Sequence, residues 1–202
     1  MISPPGVFVY KSRASNPLRR YRLVPKKVFF TKGTGQHRNE LASFEQALRD
    51  AGLDRCNLVH VSSILPAGCE IIDRDRGVEL LETGQITFVV MARSSSNTPG
   101  AGVSSAIGLA EPADESGYGY LAEYREVDGD PGSAGDHAED LAATMLATSL
   151  GIEFDSESAW NERREAYRAS GKIIKTSNIS ESAEVDDGGL WTTVLAAAVF
   201  LV

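Results

Sequence analysis

Two adjacent serines, Ser62 and Ser63, stand near the end of the stretch Asn57-Leu-Val-His-Val-Ser-Ser-Ile-Leu-Pro66, and a serine pair at a strand end is a place where a chain can cut itself. The Ser63 hydroxyl would attack the Ser62 carbonyl and move the acyl group from nitrogen to oxygen. β-Elimination of that ester would leave a dehydroalanine, which hydrolyses to an N-terminal pyruvoyl group. Its ketone forms Schiff bases with amines. Serine pairs recur at Ser94-Ser95, Ser95-Ser96 and Ser104-Ser105, so the dipeptide alone does not select its site.

Context does part of the selecting. Leu58, Val59 and Val61 read as a short buried strand, while Pro66 has no N–H for a ladder and restricts Leu65 before it. Ser62 and Ser63 are therefore expected at a strand-to-turn junction, where a peptide bond can be held in a strained geometry. Ser94 to Ser96 run into Asn97, Thr98, Pro99 and Gly100 and read as loop. Judged by residue type alone, a pair of strand-end serines capping a turn is the commoner arrangement.

Other chemistry-bearing residues each have a plain reading as well. Glu123 is a carboxylate within the otherwise apolar segment Tyr120-Leu-Ala-Glu-Tyr124. It is either an acid that burial keeps protonated, or a solvent-facing strand residue beside Arg125. Glu45 lies four residues after Leu41 and three before Leu48, at the margin of a helical apolar stripe, where Arg49 or Arg38 could pair with it. Asn57 opens the strand six residues before Ser63; its amide could donate to a carbonyl gaining charge, or simply begin a turn. His60 is a strand histidine next to the pair and stays outside the catalytic set. His37 and His137 lack ligand-spaced partners, and Trp160 and Trp191 read as packing residues. Gly33-Thr-Gly35 lacks the spacing of a phosphate loop and reads as a turn.

The elements that must position these residues alternate. Strands are expected at Lys27 to Thr31, Asn57 to Ser63 and Gln85 to Ala92, with a helix from Asn39 to Gly52 between the first two. Val103 to Ala110 and Tyr118 to Val127 form an antiparallel pair across a short turn-rich linker. Asp136 to Leu150 is a helix in which Leu141 pairs with Met145 and Leu146 with Leu150, closed by Gly151. A shorter helix at Trp160 to Tyr167 and strands at Lys172 to Thr176 and Leu190 to Phe200 complete an α+β sandwich of antiparallel sheets covered by helices.

Composition sets bounds. The 202 residues suffice for one sizeable core, and a net charge of -8 argues against a nucleic-acid-binding surface while mildly favouring a cationic ligand. Residues 1 to 26 differ: Pro4, Pro5, Pro17 and Pro25 break any periodicity, and Lys11, Arg13, Arg19, Arg20 and Arg22 make this a basic, flexible extension. Cys56 and Cys69 stand alone, without zinc-ligand spacing, and read as reduced thiols. The N-terminus has no signal-peptide pattern and the apolar run Val194 to Val202 is too short to span a bilayer, so no membrane partner and a cytoplasmic location are expected.

From Lys27 to Val202 the chain resembles the pyruvoyl-dependent arginine decarboxylases. The matching segments, in order, are FFTKGTG (Phe29 to Gly35), LASFEQALRDAGL (Leu41 to Leu53), NLVHVSSILP (Asn57 to Pro66), YGYLAEY (Tyr118 to Tyr124), EDLAATMLATSLGIEFD (Glu139 to Asp155), SGKIIKT (Ser170 to Thr176) and LWTTVLAAAVF (Leu190 to Phe200). The resemblance implies one domain over 27–202, a layered αββα sandwich, and self-cleavage between Ser62 and Ser63 into chains 1–62 and 63–202. It implies a pyruvoyl group made from Ser63 as the cofactor, no metal, L-arginine as substrate, and a homotrimer or larger assembly with active sites between subunits. Glu123 matches the family's proton donor and Asn57 a functional asparagine. Glu45 matches an acidic substrate-binding position, often aspartate there, so this chain carries one methylene more. A non-catalytic homologue, or a decarboxylase of another amino acid, remains the alternative.

Overall fold

A computed structural model describes residues 23–113, 117–129, 132–152 and 174–202. Among these, chain order runs β1 (Lys27–His37), α1 (Glu40–Asp50), β2 (Asn57–His60), β3 (Ile64–Leu65), β4 (Glu70–Ile71), α2 (Arg74–Glu79), β5 (Ile86–Ser96), β6 (Gly102–Pro112), β7 (Gly119–Val127), α3 (Ala134–Ser149), β8 (Ile174–Glu184) and β9 (Trp191–Leu201). The expected helix at Trp160 to Tyr167, residues 1–22, and the first two residues of the strand expected from Lys172 lie outside the described residues.

The strands form two sheets, ordered β2-β5-β9-β1-β4 and β3-β7-β6-β8. The long central pairings are antiparallel, while the edge pairs β1–β4 and β2–β5 are parallel. β9 explains how the layers stack. Its residues from Thr192 to Phe200 are all buried, as for a strand covered on both faces. Leu195, Ala197 and Val199 join a core with Phe29, Ala47, Ala51, Val89 and Met91 under α1, whereas Ala196, Ala198 and Phe200 pack against Ile107, Leu109 and Leu121 of the second sheet. With α3 resting on the other side of the second sheet, against Ala110 and Ala122, the layers read α, β, β, α, as expected.

Local signals set the helix ends. Asn39 caps α1, its side chain accepting from Ala42 N at 3.2 Å, and Gly52 takes the left-handed φ of 77° that follows the helix. Packing, however, overrode three expectations. Gly33 and Gly35 belong to β1 and make no turn: a Cβ at either would overlap the α1 backbone, at the carbonyls of Ala47 and Ser43, so the glycines let the helix lie close on the strand. Ser94 to Ser96 continue β5; Ser94 Oγ donates to Ser104 O at 2.6 Å, and Ser94 and Ser105 form a buried hydroxyl pair that satisfies polar groups inside the sandwich. Finally, Leu41 and Leu141 are exposed, and the helices bury mainly small residues. α3 turns Ala134, Gly135, Ala138, Ala142, Ala143 and Ala147 to the sheet, close enough that a Cβ on Gly108 would overlap the Ala138 carbonyl.

Candidate active site

The path from β2 to β3 is the feature that matters. β2 is an edge strand of the first sheet and β3 an edge strand of the second, so residues 61–63 step from one sheet to the other across the open side of the sandwich. Val61 N donates to Val89 O at 2.9 Å, the last rung on the first sheet, and Leu121 N donates to Ser63 O at 2.8 Å, the first rung on the second. Between them Ile64 N donates to Ser62 O at 3.0 Å. This bond closes a three-residue turn centred on Ser63. Asp128 is the one described non-glycine residue with positive φ, so Ser63 is at negative φ and the turn is an inverse γ-turn. The strand-to-turn junction read from Pro66 is present, and left-handed strain is not part of it. Ser62 is exposed and Ser63 half-buried.

A break between Ser62 and Ser63 would leave both ends anchored. β2 stays paired with β5 and β3 with β7. Upstream of the break, β1 lies between β9 and β4, two strands from downstream, so the two pieces share the first sheet.

Glu123 stands near this step. In β7, alternation puts Leu121 and Glu123 on one face and Ala122 on the other; Leu121 packs between the sheets and Ala122 under α3. β3 covers the β7 edge only as far as Leu121, so Glu123, roughly 7 Å further along the strand, sits opposite Ile107 where that edge is open. It is exposed. Tyr120 and Tyr124 face the helix side, where partial burial raises both phenol pKa values, helped by Tyr118 in the first case and by Glu126 in the second. Tyr124 stacks on His137 with ring centres 5.0 Å apart.

Two other sequence-singled residues are not brought to Ser63 within one chain. Asn57 is exposed at the far end of β2, roughly 13 Å from Val61 along the strand, and its Nδ2 donates to Gly84 O at 2.8 Å. Glu45 lies on the outer face of the first sheet, on α1, in an ion pair and hydrogen bond with Arg49 one turn on. That pair raises the Arg49 pKa. His60 is exposed on β2, and His37 accepts from Asn39 N at 3.0 Å in the α1 cap. Cys56 and Cys69 are free thiols belonging to the outer and inner cores of the first sheet respectively, which separates them by the sheet itself; burial pushes the Cys69 thiol up to about 11.

What sequence reading missed is the pair of backbone donors, Ile64 N–H and Leu121 N–H, on the two carbonyls flanking the Ser63 Cα. Every residue except proline carries the same amide, so no residue type announces them. A keto group in place of Ser63 fits this setting: the Leu121 rung uses a carbonyl that survives the conversion, and the serine hydroxyl and nitrogen it replaces lie at a half-exposed position. Among the described residues no helix is long and apolar enough to cross a membrane, and no cluster of three or more His, Cys, Asp or Glu side chains is arranged for a metal ion.

Comparison with known proteins agrees in one direction. The family model described as pyruvoyl-dependent arginine decarboxylase matches residues 27–202. A probable pyruvoyl-dependent arginine decarboxylase of Chloroherpeton thalassium is 57% identical over 178 residues, covering 88% of this chain and 98% of that protein. Pyruvoyl-dependent arginine decarboxylases of Methanococcoides burtonii and Methanosarcina acetivorans are 52% and 51% identical over 179 residues each, covering 89% of this chain and 99% and 98% of those proteins.

Proposed function

The chain belongs to the pyruvoyl-dependent arginine decarboxylase family, and on that premise we propose that it cuts itself between Ser62 and Ser63 and converts L-arginine to agmatine and carbon dioxide. The observation that carries the reading is the position of the serine pair on an exposed step between two sheets, where the chain can part without losing either anchor.

A pyruvoyl group supplies a ketone that captures the substrate amine and an electron-accepting system for the pair released with carbon dioxide. The chain's own groups do the rest. Leu121 N–H holds the Ser63 carbonyl and so the orientation of the reacting end. Glu123 supplies the proton that the substrate Cα takes up after carbon dioxide has left. A proton-delivering carboxyl is favoured by burial, and Glu123 is exposed in a single chain. The cover comes from a second copy, in a trimer or larger assembly, across the β5 edge beyond Val89, where β2 ends, and the β7 edge beyond Leu121, where β3 ends. Val59 and Ile64, which flank the serine pair and remain 40% and 42% exposed, support such an interface. Glu45 and Asn57, distant from Ser63 in their own chain, act across that boundary. Glu45 already accepts a guanidinium, that of Arg49, and exchanges it for the guanidinium of arginine.

The test is direct. Denaturing mass spectrometry of the purified protein should show chains 1–62 and 63–202, the second with a blocked N-terminus, and a panel of amino acids should yield agmatine from arginine with histidine and lysine untouched. An uncut chain, or preferred turnover of another amino acid, overturns the reading. For Glu45→Gln the chain should still be cut, and the arginine KM should rise roughly 5- to 10-fold as a charge-assisted contact worth about 1.5–3 kcal/mol becomes a neutral one worth about 0.5–1.5 kcal/mol. Citrulline has the same shape without the charge, so its binding should change less. An unchanged ratio of arginine to citrulline binding in the folded, cut variant would leave Glu45 as a surface partner of Arg49 and nothing more.

A further inference from the structure

The Ser62 carbonyl oxygen must take up negative charge when the chain cuts itself, and Ile64 N donates to it at 3.0 Å from within the same turn. We propose that the Ile64 backbone N–H is the oxyanion donor of the self-cleavage, an inference that rests on the self-processing reading above.

Three observations converge on it. First, this N–H has no place in the ladder. β3 and β7 are antiparallel, alternate residues of such a pair turn their N–H away from the partner, and the rung next to Ile64 is the Leu121 N–H to Ser63 O bond. Second, it is the donor that the chain itself supplies: Asn57 Nδ2 of the same chain is engaged with Gly84 O at the other end of β2, so an Asn57 amide reaches this carbonyl only from a second copy, as a donor added to the Ile64 N–H. Third, the two peptide carbonyls flanking the Ser63 Cα are both held, that of Ser62 by Ile64 N–H and that of Ser63 by Leu121 N–H. Rotation about the Ser63 Cα–Cβ bond is then the motion left to bring Oγ onto the Ser62 carbonyl carbon. A γ-turn hydrogen bond is bent and modest toward a neutral carbonyl, and it strengthens as the oxygen becomes anionic. A donor of that kind stabilises the transition state more than the ground state.

Ser63 Oγ adds to the Ser62 carbonyl carbon and the Ser62–Ser63 C–N bond breaks, with the hydroxyl proton passing to the Ser63 nitrogen; the product is an ester and a free amine. Next the Oγ–Cβ bond breaks and the Ser63 Hα is lost as a proton. Ser62 departs as a C-terminal carboxylate and a Cα=Cβ double bond remains. Water then replaces nitrogen at Cα, and ammonia leaves. Ile64 N–H acts in the first of these steps.

Ile64→Pro removes the N–H at an edge-strand position where proline is tolerated, and Ile64→Val keeps both the N–H and a β-branched side chain. In full-length protein followed by denaturing mass spectrometry, Ile64→Val, which shortens a side chain at the proposed interface and keeps the N–H, sets the rate against which the other chains are read. Ile64→Pro should fold, by circular dichroism, and be cut roughly 100- to 1,000-fold more slowly. Proline also restricts Ser63 before it, so a second chain carries the α-hydroxy acid analogue of isoleucine at position 64, with oxygen in place of N–H. It should show the same slowing whether or not the proline variant folds. In the proline chain, whose 63–64 bond is still an amide, hydroxylamine separates the steps, because a slowed acyl shift lowers the hydroxylamine-sensitive ester and a slowed elimination raises it. A rate matching that of Ile64→Val in either folded variant, or accumulation of the ester in the proline chain, overturns the proposal. Should wild type and Ile64→Val both stay uncut, it is the self-processing reading that has failed, and this inference falls with it.

Discussion

Ser63→Ala should accumulate as a single uncut chain of 21.7 kDa with arginine decarboxylation reduced to background, the largest effect expected of any single substitution here. The hydroxyl is the nucleophile of the acyl shift, and its oxygen then leaves Cβ with the Ser62 carboxylate in the elimination; without it neither the cut nor the cofactor can form. The fold has no reason to fail. The bonds that hold this step, Leu121 N to Ser63 O and Ile64 N to Ser62 O, are made by backbone atoms that alanine retains. Ser62→Ala should be cut and active within a few-fold of wild type, because Ser62 is exposed and contributes its carbonyl. Intact-mass spectrometry with an agmatine assay decides it. Cutting of Ser63→Ala at the same bond would sink the mechanism, and a block in Ser62→Ala alone would mean that the wrong serine had been assigned the attack.

Glu123→Gln carries the second largest effect. It should be cut normally and still bind arginine, with kcat lower by roughly 100- to 10,000-fold, the usual worth of a positioned acid or base. Glutamine matches the volume of the glutamate, and within its own chain Glu123 is exposed beside an open strand edge, so the stability of the chain's fold should hardly change. The discriminating measurement is borohydride reduction in the presence of labelled arginine. Label should become fixed to chain 63–202 in the variant as it does in the wild type, while agmatine release collapses. Wild-type turnover by a cut Glu123→Gln protein would remove Glu123 from the proton-donor role, and failure to be cut would assign it to processing as well.

The chemistry and the family were legible from residue strings, because a serine pair before Ile-Leu-Pro and six further matching segments are local patterns. Helix ends were legible for the same reason: Asn39 and Gly52 act on their own turns. So was the β6–β7 hairpin, whose linker is short. Where packing rather than propensity decided, local reading went astray. Gly33 and Gly35 look like a turn until α1 lies on them, Ser94 to Ser96 look like a loop until β9 pairs along them and the buried Ser104 and Ser105 engage Ser94, and Leu41 and Leu141 point outward while alanines take the helix-to-sheet contacts. Tertiary structure alone decided that β3 pairs with β7, a strand distant in sequence, and thereby set the Leu121 N–H on the Ser63 carbonyl, while the turn that carries the chain from one sheet to the other set the Ile64 N–H on the Ser62 carbonyl. It also separated Asn57 and Glu45 from Ser63 within one chain. The physical reason is common to both: side-chain identity is written in the sequence, whereas a backbone donor is the same at nearly every position and acquires a role only from what the fold places opposite it.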